Sequence, residues 1–248
     1  MSPARPLHPG TRHGMKIISW NLLRLTGATL DDVALLVQRG RPDLLLMQEA
    51  THHMDALTDR VGGYYTRAPL PGRIHGLAMW SPTPFPHDPH VLPLPAGAMF
   101  HRVCQIVYLE EFAVANVHLS HGQVLNRRQL RVIAQVLPPR AAVLGDYNLL
   151  GPALLPGFRD VGPRRYTHRA GEVVPLRIDR CLVRGLICTE AQAWSRANSD
   201  HRPIAVRLEV AEQRLRSGPY EATTAASVLL SGAVRRGRGV AASRAAGG

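Results

Sequence analysis

Residues 142–151 read AVLGDYNLLG and place two chemically useful side chains at the end of an apolar run. Asp146 follows the run directly, and Asn148 stands two positions later. Burying a carboxylate is costly unless a cation or hydrogen-bond donors accompany it. The stretch therefore predicts that other parts of the chain bring such a partner to Asp146.

Polar side chains also end or interrupt the other apolar runs. These are Asn21, Glu49, His118, Asp179, Asp200 and His201. In α/β proteins, strand ends and the loops beyond them are where ligands bind. Carboxylates gathered at one point raise one another's pKa unless a cation lies among them. A hard, oxygen-rich ligand set without cysteine favours Mg²⁺ or Mn²⁺ over zinc.

The histidines extend this chemistry from binding to catalysis. Histidine beside a carboxylate, as in Asp200-His201, is a usual way to hold a base that works near neutral pH. A metal ion, a base and amide donors together suit in-line attack of water on a phosphodiester or phosphomonoester. The side chains alone therefore predict a metal-dependent hydrolase of phosphate esters.

The elements that must position these residues indicate an α/β fold. A strand at 15–20, a helix at 29–39 and a strand at 43–49 follow one another, and Thr29 with Asp32 predicts a capping box. The remaining predicted elements are a short helix at 54–61, strands at 64–67 and 77–80, a hairpin of 103–109 with 112–119, a helix at 126–137, the strand before Asp146, strands at 176–183 and 203–210, and a proline-dense loop or edge at 81–97.

Length and composition predict one cytoplasmic domain. The chain has 248 residues and three cysteines, which form no C-x-x-C pair and no even disulfide framework. No run resembles a signal-peptide core or approaches the ~20 apolar residues of a membrane helix. We expect a monomer without membrane insertion: a flexible extension at 1–14, the domain at 15–210 and a disordered Arg/Gly/Ala-rich tail at 211–248.

The order WN…QE…NVHL…GDYN…IDR…SDH resembles the endonuclease/exonuclease/phosphatase superfamily. The similarity covers residues 15–210, and its six short motifs are specific only in combination. The resemblance implies a four-layer α/β sandwich, in which two packed mixed β-sheets are flanked by helices and the site lies along one edge. It also implies that Glu49 is the principal Mg²⁺ ligand, helped by Asn21, with Asp200 as a further carboxylate of the metal site.

The resemblance also assigns the catalytic roles. Asp146 and Asn148 would orient the water and the phosphate. His201 would lie near the scissile phosphate, oriented by Asp179, and His118 would donate to a phosphate oxygen. No carboxylate in the segment GGYYTRAPLPGR offers itself as a partner for His118.

The substrate is less defined by the sequence. The net charge of +12 would attract DNA or RNA, although Lys16 is the only lysine and the arginine excess could reflect genome composition. Arg102 and Arg127 are candidate phosphate contacts. Leu23 stands where abasic-site endonucleases usually have an acidic residue. Two alternatives stay open: a phosphatase or phosphodiesterase for a small-molecule or phospholipid substrate, and a non-catalytic binding protein on the same scaffold.

Overall fold

The first strand, helix and strand form a parallel α/β unit, as predicted. In the computed structural model they are β1 (Met15–Asn21), α1 (Leu30–Gly40) and β2 (Leu44–Thr51), and β1 pairs with β2 in parallel. The predicted capping box is present, since Thr29 and Asp32 exchange backbone-to-side-chain hydrogen bonds of 2.9 and 3.2 Å. This exchange satisfies backbone donors of the first helical turn.

The structure describes residues 14–97, 101–171 and 173–211. Apart from Gly14 and Ala211, the predicted extension at 1–14 and the predicted tail at 211–248 lie outside the described residues. The other elements follow in chain order: a 3₁₀ helix (His52–Ala56), α2 (Leu57–Val61), β3 (Tyr64–Pro69), β4 (His75–Ser81), β5 (His90–Pro93), β6 (Val103–Tyr108), β7 (Ala113–His118), α3 (Gln123–Val136), β8 (Ala141–Asp146), β9 (Arg159–Asp160), β10 (His168–Ala170), β11 (Val174–Leu176), β12 (Asp179–Arg184), β13 (Leu186–Ala193) and β14 (Ile204–Val210).

The strands form two mixed six-stranded sheets and a small hairpin of β10 with β11. The first sheet has the order β13-β14-β1-β2-β4-β3, and the second has the order β5-β6-β7-β8-β12-β9. Each sheet contains one parallel pair, β1 with β2 and β7 with β8. Since parallel strands start and end together, the carboxyl ends of these four strands can supply one site.

Alternating side chains on the strands build the layers. Ile17, Leu46 and Leu144 point into the apolar space between the two sheets, whereas Ile18 and Met47 point outward against α1. α3 covers the outer face of the second sheet in the same way. A strand buried on both faces reads as a continuous apolar run, which is the pattern of β1 and β2. These contacts confirm the predicted four-layer α/β sandwich.

Two strand predictions need correction. The strand predicted at 176–183 is two elements, because β11 ends at Leu176 and β12 begins at Asp179. The strand β13 was not predicted at all. It lies at an edge of its sheet, where most of its side chains are exposed, so its sequence lacks the apolar pattern of a buried strand.

The helices are short and amphipathic. Among the described residues the longest is α3, with 14 residues, and no helix in that part of the chain combines the length and hydropathy needed to cross a membrane. All three cysteines are free, and two of them, Cys104 and Cys181, are buried. The amphipathic helices α1 and α3 pack on the outer faces of the two sheets and form the outer layers of the sandwich.

Candidate active site

Strand pairing brings most of the predicted site residues to one edge of the sandwich. The parallel register of β7 and β8 sets His118 opposite Asp146, and the antiparallel register of β8 and β12 sets Asp146 opposite Asp179. In the other sheet, Asn21 ends β1 and lies opposite the residue before Glu49. Residues far apart in the sequence thus become neighbours.

Asp146 is the centre of this edge. Its Oδ2 accepts a hydrogen bond from Asn21 Nδ2 at 3.0 Å, and its Oδ1 accepts one from the backbone N–H of Asn148 at 2.9 Å. The Nε2 atoms of His118 and His201 lie 3.4 and 3.8 Å from the same Oδ2. Burial raises the pKa of Asp146 to about 6, although the charge of His201 acts in the opposite direction. The partners that the sequence predicted for this carboxylate are therefore amide donors and imidazoles.

The backbone around Asp146 requires two unusual residues. Gly145 has φ of +142°, and a Cβ there would lie 1.9 Å from the carbonyl oxygen of Val117 on the neighbouring strand. Only glycine allows this approach of β7 and β8. Asn148 has φ of +47°, and its Nδ2 donates to Leu119 O at 3.0 Å. A left-handed conformation stabilised by a side-chain hydrogen bond turns the chain away just after Asp146.

His201 is fixed by hydrogen bonds to Nδ1 of its ring and to its backbone. Its Nδ1 lies 2.9 and 3.1 Å from the two carboxylate oxygens of Asp179. The backbone N–H of His201 donates to Ser199 Oγ at 3.1 Å, and its carbonyl accepts from Trp20 Nε1 at 3.0 Å. Burial disfavours the imidazolium, but the attraction of Asp179 and Asp146 outweighs it and raises the pKa of His201 to about 10. At neutral pH this ring therefore carries a proton on each nitrogen.

His118 is the second imidazole at this edge and is buried. Burial and the nearby charges of Arg102 and His201 hold its pKa well below the ordinary value, so the ring is neutral. The sequence offered it no carboxylate partner in GGYYTRAPLPGR, and the nearest carboxylate found for it is Asp146. Because this partner lies 28 positions further along the chain, only the pairing of β7 with β8 reveals it.

Glu49 lies at the same edge in a strained backbone conformation. Its φ is +57°, and it lies where the pairing of β2 with β4 shifts register between Met47 and Ala50. Such a bulge re-aims a side chain, and a left-handed glutamate costs of order 1–3 kcal/mol. The carboxylate pairs with Arg24 Nη1 at 3.2 Å, and the side chains of Glu49 and Arg24 are 12 % and 51 % exposed. Backbone strain that directs a carboxylate toward solvent is typical of a functional position.

Asp200 lies on the histidine side of the edge. Its Oδ1 is 3.9 Å from His201 Nε2, and its Oδ2 is 3.6 Å from Nδ1 of His168. His168 faces His201 through an isolated antiparallel bridge, with ring centroids 4.3 Å apart. No pattern in the sequence marks His168, because only the pairing across 33 positions shows that it approaches His201.

Positive groups surround Glu49. Burial lowers the pKa of His75, and the charges of Arg24, Arg102 and Arg73 lower it further against the attraction of Glu49. Burial lowers the pKa of the Arg102 guanidinium, and the charges of Asp146 and Glu49 act in the opposite direction. Arg102, a predicted phosphate contact, therefore lies within electrostatic reach of the site.

Arg127, the other predicted phosphate contact, lies on α3. Within the described part of the chain, no hydrogen bond or ion pair joins it to the residues around Asp146, and its Nε is buried without a hydrogen-bond partner. Its proposed role in substrate binding stays a prediction. The neighbouring Asn126 has a clearer structural role, since its Nδ2 donates to the carbonyl oxygens of Tyr147 and Ser120 and so ties α3 to the loop after Asp146.

The donors at this edge fit a hard divalent cation. Glu49 supplies carboxylate oxygens and Asn21 an amide oxygen from adjacent strand ends, and no cysteine lies among them. Mg²⁺ is usually held by one or two carboxylates and keeps several waters. The strained, partly exposed Glu49 is the residue best placed to hold it, with Asn21 beside it.

A sandwich that holds a buried aspartate, two imidazoles and carboxylate and amide oxygens at one edge defines a hydrolase of phosphate esters. A family model described as Endonuclease/Exonuclease/phosphatase family matches residues 18–201. The chain belongs to this family, and hydrolysis of phosphate esters is its class of reaction. A comparison with curated protein sequences finds no match.

Solved structures of the same architecture agree with this assignment. An endonuclease/exonuclease/phosphatase protein from Bacteroides vulgatus has a TM-score of 0.68 at 17% identity, covering 80% of this chain and 100% of its own. Humanized D. rerio TDP2 has a TM-score of 0.63 at 21% identity, covering 79% and 99%. A Bacteroides thetaiotaomicron mannosyl-6-phosphatase has a TM-score of 0.60 at 17% identity, covering 79% and 99%. At these identities the likeness concerns the fold.

Proposed function

We propose that the protein hydrolyses phosphodiester bonds of nucleic acid in a Mg²⁺-dependent reaction. The observation that carries the proposal is the buried array in which His201 lies between Asp179 and Asp146. Such an array fixes a protonated imidazole beside a carboxylate whose pKa is about 6. A base and a donor so close together suit the attack of water on phosphorus.

Glu49 and Asn21 would hold the Mg²⁺ ion. Asp200, the further carboxylate expected for the metal site, lies against His168 and His201. When bound, the ion neutralises charge on the phosphate oxygens. The protein's own part there is to aim Glu49 by the bulge in β2 and to hold Asn21 through its hydrogen bond to Asp146. That hydrogen bond links the metal-binding residues to the base.

Asp146 and His201 divide the proton chemistry. Asp146, held together with Asn148, orients a water molecule and takes its proton as the new P–O bond forms and the bond to the leaving oxygen breaks. The raised pKa of Asp146, caused by burial, makes it a base near neutral pH. The imidazolium of His201 and the neutral ring of His118 donate hydrogen bonds to the phosphate oxygens. Asp179 keeps His201 charged and oriented.

The preference for nucleic acid rests on charge. The chain carries a net charge of +12, and Arg24, Arg73 and Arg102 gather around His75, beside Glu49. One of the similar solved structures is D. rerio TDP2 complexed with single-strand DNA product, with a TM-score of 0.64 at 19% identity. Cationic groups along the approach to the scissile bond would hold the polyanionic backbone.

A second candidate is a phosphatase of small phosphate monoesters. The arginines that act on His75 favour it, because Arg24, Arg73 and Arg102 bring three positive charges to one place and a terminal phosphate carries two negative charges. The mannosyl-6-phosphatase with a similar fold acts on a substrate of this kind by its description. The predicted cytoplasmic location is compatible with either substrate.

A substrate panel tests the proposal. The purified full chain would be assayed with Mg²⁺ on plasmid DNA, single-stranded DNA, RNA, bis(p-nitrophenyl) phosphate, p-nitrophenyl phosphate and sphingomyelin vesicles, before and after EDTA. We expect cleavage of nucleic acid and the diester, abolished by EDTA. Asp146→Asn should remove this activity, whereas Asp88→Asn, which changes an exposed aspartate, should not. Hydrolysis of the monoester alone would overturn the nuclease assignment in favour of the phosphatase.

A further inference from the structure

Three potential metal ligands meet on the side of His201 that faces Asp200. Nδ1 of His168 lies 3.6 Å from Asp200 Oδ2, and Nε2 of His201 lies 3.9 Å from Asp200 Oδ1. One ligand atom from each of the three residues can be chosen so that all lie within 4.8 Å of one another. The backbone bridge between His168 and His201 holds the two rings against each other, with centroids 4.3 Å apart and planes tilted by 39°. Secondary structure therefore fixes the group.

The polar atoms of this group are incompletely satisfied. Nδ1 of His168 and Oδ1 of Asp200 are buried, and in the described part of the chain neither has a hydrogen-bond partner of ordinary geometry. A buried polar atom without a partner costs free energy, and most such atoms in folded proteins are paired. Unpaired polar atoms on β10 and on the loop before β14, held close together by the bridge, are suited to receive a cation.

The ligand types select the cation. Two imidazoles and one carboxylate suit Zn²⁺, whereas Mg²⁺ prefers oxygen alone. With bonds of roughly 2.0–2.2 Å, ligands of a tetrahedral zinc ion lie about 3.3 to 3.6 Å apart. The two separations at Asp200 are 3.6 Å to its Oδ2 and 3.9 Å to its Oδ1, and one ligand atom from each residue lies within 4.8 Å of the other two. The side chains would therefore have to close by up to about 1 Å to reach the spacing of zinc ligands. The fourth position would be left to water.

We propose that His168, Asp200 and His201 form a Zn²⁺ site and that zinc bound there inhibits the enzyme. Inhibition follows because the site takes Nε2 of His201, the same nitrogen that faces Asp146 and the phosphate. Zinc would displace the proton that Nε2 carries at neutral pH and release it to solvent. A ring nitrogen that is coordinated to zinc cannot also donate a proton to a phosphate oxygen. The binding site stands on the geometry alone, whereas the inhibition rests on the proposed function.

Zinc binding can be measured without any assay of activity. The full chain, freed of metal and supplied with excess Mg²⁺, would be titrated with ZnCl₂ against a chromogenic chelator. We expect one zinc equivalent in the wild type, with a Kd at least about tenfold weaker in His168→Phe, since removal of one ligand group typically costs such a factor. Phenylalanine keeps a ring against His201 and removes the nitrogens. His90→Phe, at an exposed histidine of β5, is the matched control.

The activity measurement then tests inhibition. Under Mg²⁺, the zinc concentration for half-inhibition should rise at least about tenfold in His168→Phe and stay unchanged in His90→Phe. Equal zinc affinity in wild type and His168→Phe would overturn the site. Equal inhibition despite weaker binding would overturn the regulatory role. Zinc binding that depends on His168 in a protein inactive on every substrate would refute the proposed function and leave the site standing. Should His168→Phe not unfold cooperatively on heating, His168→Gln replaces it.

Discussion

The two halves of the active edge are held in different ways. In the half around Asp146, the side chains of Asp146, Asp179, His118 and His201 are buried. Asn21 donates to Asp146, and His201 lies between Asp179 and Asp146. In the half around Glu49, a strained carboxylate is paired with the half-exposed Arg24. An exposed ion pair contributes only about 0–1 kcal/mol. The half proposed to handle protons is therefore organised before a substrate arrives, whereas the half proposed to bind the metal has fewer fixed contacts.

A buried group of polar side chains between the two sheets fixes the position of one half of the edge relative to the other. Gln48 Nε2 donates to Ser19 Oγ at 3.0 Å and to Asn116 Oδ1 at 2.7 Å, and Asn116 Nδ2 donates to the carbonyl oxygens of Met47 and Ala78. This buried polar link joins the two sheets across an otherwise apolar interface. Because every hydrogen bond in it has a defined direction, it fixes how the strand ends of one sheet face those of the other.

The largest effect is expected from breaking the organised half. His201→Gln removes the imidazolium that donates to the phosphate, and kcat should fall by about 10³-fold or more. Steady-state kinetics on a diester substrate with saturating Mg²⁺ measure it. Thermal unfolding checks that the fold persists. A kcat within about tenfold of the wild type would contradict the assigned role, since general acid–base groups contribute at least about 10²-fold.

The next effect concerns the residue that orients the imidazole. Asp179→Asn removes the charge that keeps His201 protonated, so kcat should fall by about 10²-fold. His201 must be protonated, and its pKa is about 10, so the wild-type rate falls as pH rises through about 10. In the variant this alkaline limb should move to lower pH. Asp160→Asn is a matched control, because Asp160 is also partly buried but pairs with Arg177 and Arg180. An unmoved limb in Asp179→Asn would contradict the positioning role.

Much of this architecture was predictable because local signals and burial agree. β1, β2 and β8 are buried on both faces and therefore read as continuous apolar runs. The capping box of Thr29 with Asp32 marks the start of α1. β13 escaped prediction because an exposed edge strand carries no apolar pattern, and β12 was misplaced because the apolar signal runs on from β11.

The site was predictable only in part. Asp146, Asn21 and Glu49 stand at strand ends, where a polar residue after an apolar run is visible in the sequence. The approach of His168 to His201 depends on a single backbone bridge between loops, which no local pattern encodes. The cluster around Glu49 depends likewise on how the two sheets pack. Sequence patterns thus identify the site residues that follow apolar strands. Which further residues lie beside them depends on tertiary packing.

A change in the open half, around Glu49, should raise the Mg²⁺ concentration needed for half-maximal activity and have less effect on kcat at saturating Mg²⁺. Glu49→Gln keeps the shape of the side chain and removes its charge, so the Mg²⁺ concentration for half-maximal activity should rise by about tenfold or more. Activity titrated against Mg²⁺ measures this shift. A saturating ion should restore most of kcat, in contrast to His201→Gln. An unchanged Mg²⁺ requirement would mean that the ion is held elsewhere.

The organised half also makes metal-free stability depend on pH. The folded pKa of His201 is about 10, above its ordinary 6.5, so its stabilising contribution is complete below pH 6.5 and is lost as pH rises toward 10. The melting temperature in EDTA should therefore fall across this window. In His201→Gln the fall should be smaller by about 2–4 °C for each kcal/mol removed. Parallel curves for the two proteins would contradict the charged state assigned to His201.

The smallest effect is expected from replacing Arg24, the partner of Glu49 in the open half. Its guanidinium competes with a metal ion for Glu49 through one exposed ion pair at 3.2 Å. Since such a pair is worth about 0.2–1 kcal/mol, Arg24→Gln should lower the Mg²⁺ concentration for half-maximal activity by about 1.4- to fivefold. Arg60→Gln removes a comparable surface pair with Asp31 and should leave it unchanged. The gain should shrink in high salt, where exposed charges are screened. A weaker Mg²⁺ response in Arg24→Gln would show instead that Arg24 helps to aim Glu49 at the ion.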